Sequence, residues 1–137
     1  PAEIPLMGIL MCAVDDDEEK ARRQLAYAIA QYAASRVYDR LFELHGWAAA
    51  QQRIREAVRA GDEKAIVAAV PDAAIDAIGV ACTPGRLAER VAEHAAHFDQ
   101  VNLVAPAWGL SPEEAEATAL AIVDNMSDAL KSQRTIS

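Results

Sequence analysis

The 137-residue chain is long enough for one ordinary domain with a real core, and its 53% hydrophobic content excludes disorder. Its formal net charge of −8 speaks against nucleic acid, whose recognition needs clustered Lys and Arg, and against adhesion to anionic membranes. Aromatic residues make up only 5%, so Ala, Val, Ile and Leu must fill most of the core, which suits close helix packing.

The first predicted element is the unbroken apolar run of residues 6–14. A short run without polar alternation reads as a strand buried on both faces, as in parallel sheets. Asp15-Asp16-Asp17-Glu18-Glu19 follows at once and is placed to cap a helix and complement its dipole. That helix carries Ala21, Leu25, Ala28, Ile29 and Tyr32 at helical spacing, bends near Ser35, resumes through Val37, Leu41 and Leu44, and stops at Gly46.

Trp47 to Ala60 predicts a second helix closed by Gly61, and Asp62 caps a third over Glu63 to Val70. Pro71-Asp72 opens a fourth, with Ile75, Ile78 and Ala81 three residues apart; Val80-Ala81-Cys82 also reads as a short strand end. Thr83-Pro84 begins a helix through Leu87, Val91 and Ala95, ending near His97. Residues 101–105 predict a second strand, parallel to the first, ending at Pro106-Ala107-Trp108-Gly109. Ser111-Pro112-Glu113-Glu114 is a capping box for the last helix, with Ala115, Ala119, Ile122 and Met126 on one face, and Lys131 to Ser137 reads as a frayed tail.

There is no internal repeat or flexible linker, so residues 1–137 read as one segment of a single domain. Two strands leave open sheet edges, so further strands, upstream in the same chain or on a partner, are expected; the opening Pro1 agrees with this. Cys12 and Cys82 lie in apolar runs and read as buried free thiols. With no signal peptide and no transmembrane-length run, a cytoplasmic setting is expected.

The ordered series of Val14-Asp15-Asp16-Asp17, Tyr38-Asp39-Arg40-Leu41, His45-Gly46-Trp47, Val70-Pro71-Asp72, Cys82-Thr83-Pro84 and Leu87-Ala88-Glu89-Arg90 is similar to the C-terminal third of luciferase-like monooxygenases. The stretch from Asp99 to Pro106 resembles the last strand of that family's barrel, and the likeness runs to about Met126. The chain looks closest to members using a deazaflavin in place of FMN, although Cys82 stands where the family usually has glycine and Gly85-Arg86 where it often has an acidic residue.

The resemblance implies the C-terminal portion of a TIM-like (β/α)8 barrel, mostly helical, with about two parallel strands in this chain. It implies an oxidoreductase using FMN or a deazaflavin for hydride transfer or monooxygenation of a small organic substrate. The cofactor would be held mainly by parts of the parent outside this chain, which alone would be inactive. The expected partners are the remaining barrel strands or a partner chain, with a homo-oligomer expected, and no catalytic residue carries over.

Barrel active sites lie at the carboxyl ends of the strands, which marks three places. The Asp15–Asp17 cluster reads first as capping, with a substrate or metal role as the alternative. Pro106 and Trp108 follow a strand, and the indole is placed either to line a substrate pocket or to pack as a lid. Backbone N–H groups at Thr83, Gly85 and Arg86, with the Arg86 guanidinium, are placed to hold a cofactor's anion; an ordinary capped helix with a solvent arginine is the plainer reading. His94 and His97 lack a third ligand at metal spacing, so no metal is expected. The rival to an enzyme is an acidic α-helical protein-interaction module using the same apolar faces.

Overall fold

The structure, a computed structural model, describes residues 4–135, with side-chain surroundings through Ser127. Strand β1 (Met7–Val14) leads into helix α1 (Glu18–Ala33), then α2 (Asp39–Leu44), α3 (Ala48–Ala60), α4 (Glu63–Ala69) and α5 (Asp72–Ile78). Strand β2 (Gly79–Cys82), helix α6 (Leu87–Ala95), strand β3 (Gln100–Val104) and helix α7 (Pro112–Thr135) complete the order. The three strands form one parallel sheet in the order β2-β1-β3.

Both predicted strands form and are parallel, with Met7 aligned to Gln100 and Met11 to Val104. The expectation of two strands is corrected to three. Gly79–Cys82 leaves the predicted fourth helix at Ile78 and pairs with Met11–Val14. A Cβ on Gly79 would come within 2.6 Å of the Met11 carbonyl oxygen, so only glycine lets β2 draw this close. The tail is also corrected: α7 continues helical through Thr135 where fraying was expected from Lys131, while Ile136 and Ser137 lie outside the described residues.

The helix signals operate as read. Asp17 Oδ1 accepts from the N–H groups of Glu19 and Lys20 at 3.0 and 3.3 Å, and Asp62 Oδ1 from Ala65 N–H at 3.0 Å. At α7 the Ser111 Oγ accepts from Glu114 N–H while Glu114 Oε2 accepts from Ser111 N–H, a reciprocal capping box. Gly46 and Gly61 end their helices at φ of +73° and +67°, the left-handed region that glycine occupies without strain. The bend at Ser35 is a break, bridged by a short 3-10 turn over Arg36–Tyr38. The orphan carbonyls at the end of α1 are taken up by α3: Gln51 donates to Ala33 O at 2.9 Å and Arg55 Nε to Ala34 O at 3.2 Å.

Helices cover both faces of the sheet. On one face Ala13 and Ala81 pack with Leu25 and Ile29 of α1, Ile54 of α3, Ile66 of α4 and Ile75 of α5. On the other, Leu10, Cys12, Val14, Val80 and Cys82 pack with Leu87 and Val91 of α6 and Ile122 of α7. Cys12 and Cys82 are buried free thiols, and burial, with Cys82 close by, pushes the Cys12 thiol up to about 12. β1 departs from the expected burial on both faces: its amino half leaves Met7 and Ile9 exposed. Three strands do not close a barrel, and both outer sheet edges are open among the described residues.

Candidate functional site

In a parallel sheet every strand ends at the same edge, so the turns after Val14, Cys82 and Val104 face one way. The chain leaves β1 towards β2 on one side and reaches β3 on the other. The carboxyl edge between β1 and β3 is therefore the topological switch point, where open α/β sheets form their ligand crevices.

Two cavities occupy this crevice. One of about 520 Å³ lies between α1, α4 and the turn after β3, lined among others by Gln24, Tyr27, Lys64 and Trp108. Another, of about 340 Å³, lies between the turn after β1 and the start of α7. Lys20, Gln24 and Glu114 line both. Lys20 bridges the crevice, with its Nζ 3.0 Å from Asp15 Oδ2 and 3.8 Å from Glu114 Oε1.

The charges are set by local hydrogen bonds. The Asp17 N–H, and then Lys20, hold Asp15 below the usual carboxylate range. The Ser111 N–H does the same for Glu114, and Asp15 raises Lys20. At the back wall, buried Thr118 of α7 accepts from Val14 N–H at 3.0 Å, satisfying the last donor of β1. Gln24 is only 8% exposed, and its Oε1 has no hydrogen-bond partner. A buried amide oxygen left unpaired costs about 1–3 kcal/mol, which a donor entering the crevice would recover.

The predicted site residues fall at this edge, though not all together. Asp17 caps α1 and Asp15 ties back to Asp17 N–H at 3.0 Å, as the capping reading of the acidic cluster has it. Pro106 is buried directly after β3. Trp108 is 45% exposed, lines the larger cavity and meets Tyr32 edge-on, with centroids 4.7 Å apart. Gly109 turns the chain at φ +73°, and a Cβ there would lie 2.8 Å from the Tyr27 ring.

Thr83, Gly85 and Arg86 sit at the β2 end, across β1 from Trp108. Pro84–Arg86 is a 3-10 turn whose Arg86 N–H is spent on Thr83 O at 3.0 Å, and the Arg86 guanidinium stands 3.9 Å from Glu18. Both ring nitrogens of His94 face backbone carbonyls, of Arg90 at 3.1 Å and Asp76 at 2.9 Å. No group of three potential metal ligands occurs among the described residues. Likewise, no described helix is long and apolar enough to cross a membrane.

Lys20, Gln24 and Tyr27 were not singled out from the sequence, although they follow one another at helical spacing along α1. The available signal was Gln24 itself, a glutamine beside Leu25 on the stripe that packs inward.

No curated protein and no solved structure matches the chain. A family model described as luciferase-like monooxygenase matches residues 1–100, from the N-terminus to the start of β3. The match falls short of the likeness to about Met126 read from the sequence, and leaves Pro106, Trp108 and α7 beyond it. It nonetheless takes in β1, α1, β2 and the first wall of the crevice, so the chain belongs to the luciferase-like monooxygenase family.

Proposed function

We propose that the chain is part of a flavin- or deazaflavin-dependent oxidoreductase that transfers hydride to, or oxygenates, a small organic substrate, with the carboxyl-edge crevice forming one wall of the substrate pocket. Family membership implies flavin-type oxidoreductase chemistry in general. The observation that carries the more specific reading is the coincidence of that membership with a crevice at the switch point, walled by Trp108 and holding the unpartnered Gln24 Oε1.

The cofactor, when bound, supplies the redox chemistry. This chain's residues bind and orient. Gln24 offers an acceptor, Trp108 and Tyr27 offer flat apolar surface, and Lys20 holds the two sides of the crevice together. Thr83, Gly85 and Arg86 would meet the cofactor's anionic group, with Arg86 turning from Glu18 to do so. The bulk of the cofactor contacts would come from further strands of a (β/α)8 barrel in a cytoplasmic parent, or from a partner chain in a homo-oligomer. The open outer edges of β2 and β3 leave room for further strands, while the order β2-β1-β3 departs from the sequential strand order of a closed (β/α)8 barrel. The interaction-module reading lacks a comparable support, because it leaves the family match unexplained.

The test is flavin or deazaflavin absorbance in the intact parent, together with a Trp108→Ala variant. That variant is expected to raise KM or lower kcat with little loss of melting temperature, since the indole is half exposed. A parent without bound or bindable flavin would overturn the reading. A variant that melts far lower yet keeps its specific activity would make Trp108 a packing residue.

A further inference from the structure

The larger cavity of the crevice holds groups for which the redox role gives no use. Arg23 of α1 and Lys64 of α4 both line it, and neither forms an ion pair within 4 Å or a side-chain hydrogen bond among the described residues, though Arg23 lies near enough to Asp15 to help hold its carboxyl down. The other charges there are Lys20, Glu114 and Glu63. Lys20 and Glu114 engage each other, and each has a further partner in Asp15 and Ser111. This leaves two cations lining the cavity against the carboxylate of Glu63, with Asp15, already tied to Lys20, just outside it. Beside them stand two flat rings, Tyr27 and Trp108, and the buried Gln24 with its unpartnered Oε1. A cationic rim, aromatic walls and one buried acceptor together specify a ligand: planar, apolar in the middle, anionic at one end and carrying one hydrogen-bond donor.

We propose that this cavity binds a small hydroxylated aromatic acid, with its carboxylate on Arg23 and Lys64, its ring against Trp108 and Tyr27, and its hydroxyl donating to Gln24 Oε1. The proposal rests on the oxidoreductase reading and names the substrate class of that pocket. Guanidinium suits this role because its fork matches a carboxylate's two oxygens.

The experiment is calorimetric titration of the intact parent with 6-hydroxy-2-naphthoate, with its methyl ester and with FMN. The acid is expected to bind with Kd on the order of 0.1 mM and the ester about tenfold more weakly, the loss of roughly one charge-assisted contact. Arg23→Gln and Lys64→Gln, on exposed or partly exposed helix positions, should each weaken the acid about five- to tenfold and leave the ester unchanged. Arg59→Gln, a cation outside this cavity, should change neither. Gln24→Met should weaken the hydroxy acid while leaving 2-naphthoate unaffected. Equal binding of acid and ester overturns the proposal, as does indifference of the acid to both cation variants, absence of binding, or displacement of the acid by FMN at lower concentration, which would give the cavity to the cofactor. Flavin absorbance of the parent judges the oxidoreductase reading separately: a flavin-bearing parent whose chain ignores the acid loses only this proposal.

Discussion

Strand β1 is apolar along its length, yet its two halves live in different surroundings. The carboxyl half, Met11–Val14, pairs with β2 and lies under α1 on one face and α7 on the other, leaving Cys12 and Ala13 with no exposed surface. The amino half pairs with β3 and is covered on one face only. Gly8 and Leu10 are buried there, while Met7 is 56% and Ile9 76% exposed. Composition does not distinguish the halves; their neighbours do. Burial belongs to the assembled layers, and a strand's residues become core only where a helix crosses above them.

The largest expected effect that tests this contrast is Leu25→Ala. Leu25 has no exposed surface and rests against Gly79, at the junction of α1 with the carboxyl half of the sheet. A loss of about 3–5 kcal/mol in denaturant unfolding is expected, as for large-to-small changes in filled cores. A loss under about 1 kcal/mol would mean that this half is no better packed than the other.

Gly79→Ala comes next, at about 1–3 kcal/mol, the usual cost of overpacking. The backbone of Gly79 is ordinary extended chain, so the cost arises from the Met11 carbonyl and the Leu25 side chain rather than from φ. Hydrogen exchange should then show β2 amides opening before those of β3.

A smaller effect is expected from acid. Asp15 and Glu114 have lowered values in the folded chain, so their contribution is fully present above the ordinary carboxylate pKa of about 4 and disappears as pH falls through the lowered values. Both groups are near solvent, so the loss below pH 4 should be modest, and it should loosen the crevice end of β1 selectively. The melting temperature and the amide exchange of Asp17 and Ser111, followed from pH 6 to pH 2, check this. Lys20 works in the opposite sense: its raised value keeps its contribution intact below about pH 10.4, and the contribution is lost only as pH climbs further.

The smallest expected effect on stability is from Ile9→Thr, within about 0.5 kcal/mol, as for exposed positions. Its consequence should appear in sedimentation instead, as weaker self-association or weaker completion by other strands. An Ile9→Thr loss comparable with that of Leu25→Ala would erase the distinction between the halves.

Much of this organisation was legible in the sequence. The unalternated runs gave β1 and β3, and the capping signals at Asp17, Asp62 and Ser111 marked true helix starts. β2 was harder, for a physical reason. Gly79-Val80-Ala81-Cys82 is four residues long, fully buried and fused to the end of α5, so it offers neither alternation nor a turn signal, and Ile75, Ile78 and Ala81 mimic helical spacing. At the crevice, Trp108 was findable because a proline and a glycine bracket it at a strand end. Lys20, Gln24 and Lys64 were not, because their meeting in one cavity depends on α1 and α4 being brought beside a turn more than forty residues away in sequence. The exposure of Ile9 was likewise hidden, since nothing local says which stretch of a strand a helix will cross.

The hydrogen bond from Val14 N–H to Thr118 joins residues 104 positions apart, and Leu6 N–H reaches Asp99 across 93. Within this sheet β1 is made before β2 and β3, and before the Thr118 that caps its last amide. At translation rates of roughly 5–20 residues per second, its amides wait several seconds to tens of seconds for their acceptors. The α3–α4 region can fold locally in that interval, whereas the β1–β2 and β1–β3 pairings each wait for a long crossover to close. Until β2 and β3 emerge, the edges of β1 that they will occupy are open to pairing with a wrong strand. Yield from the cell should therefore depend on chaperone supply and growth temperature more steeply than the stability of the finished fold would suggest.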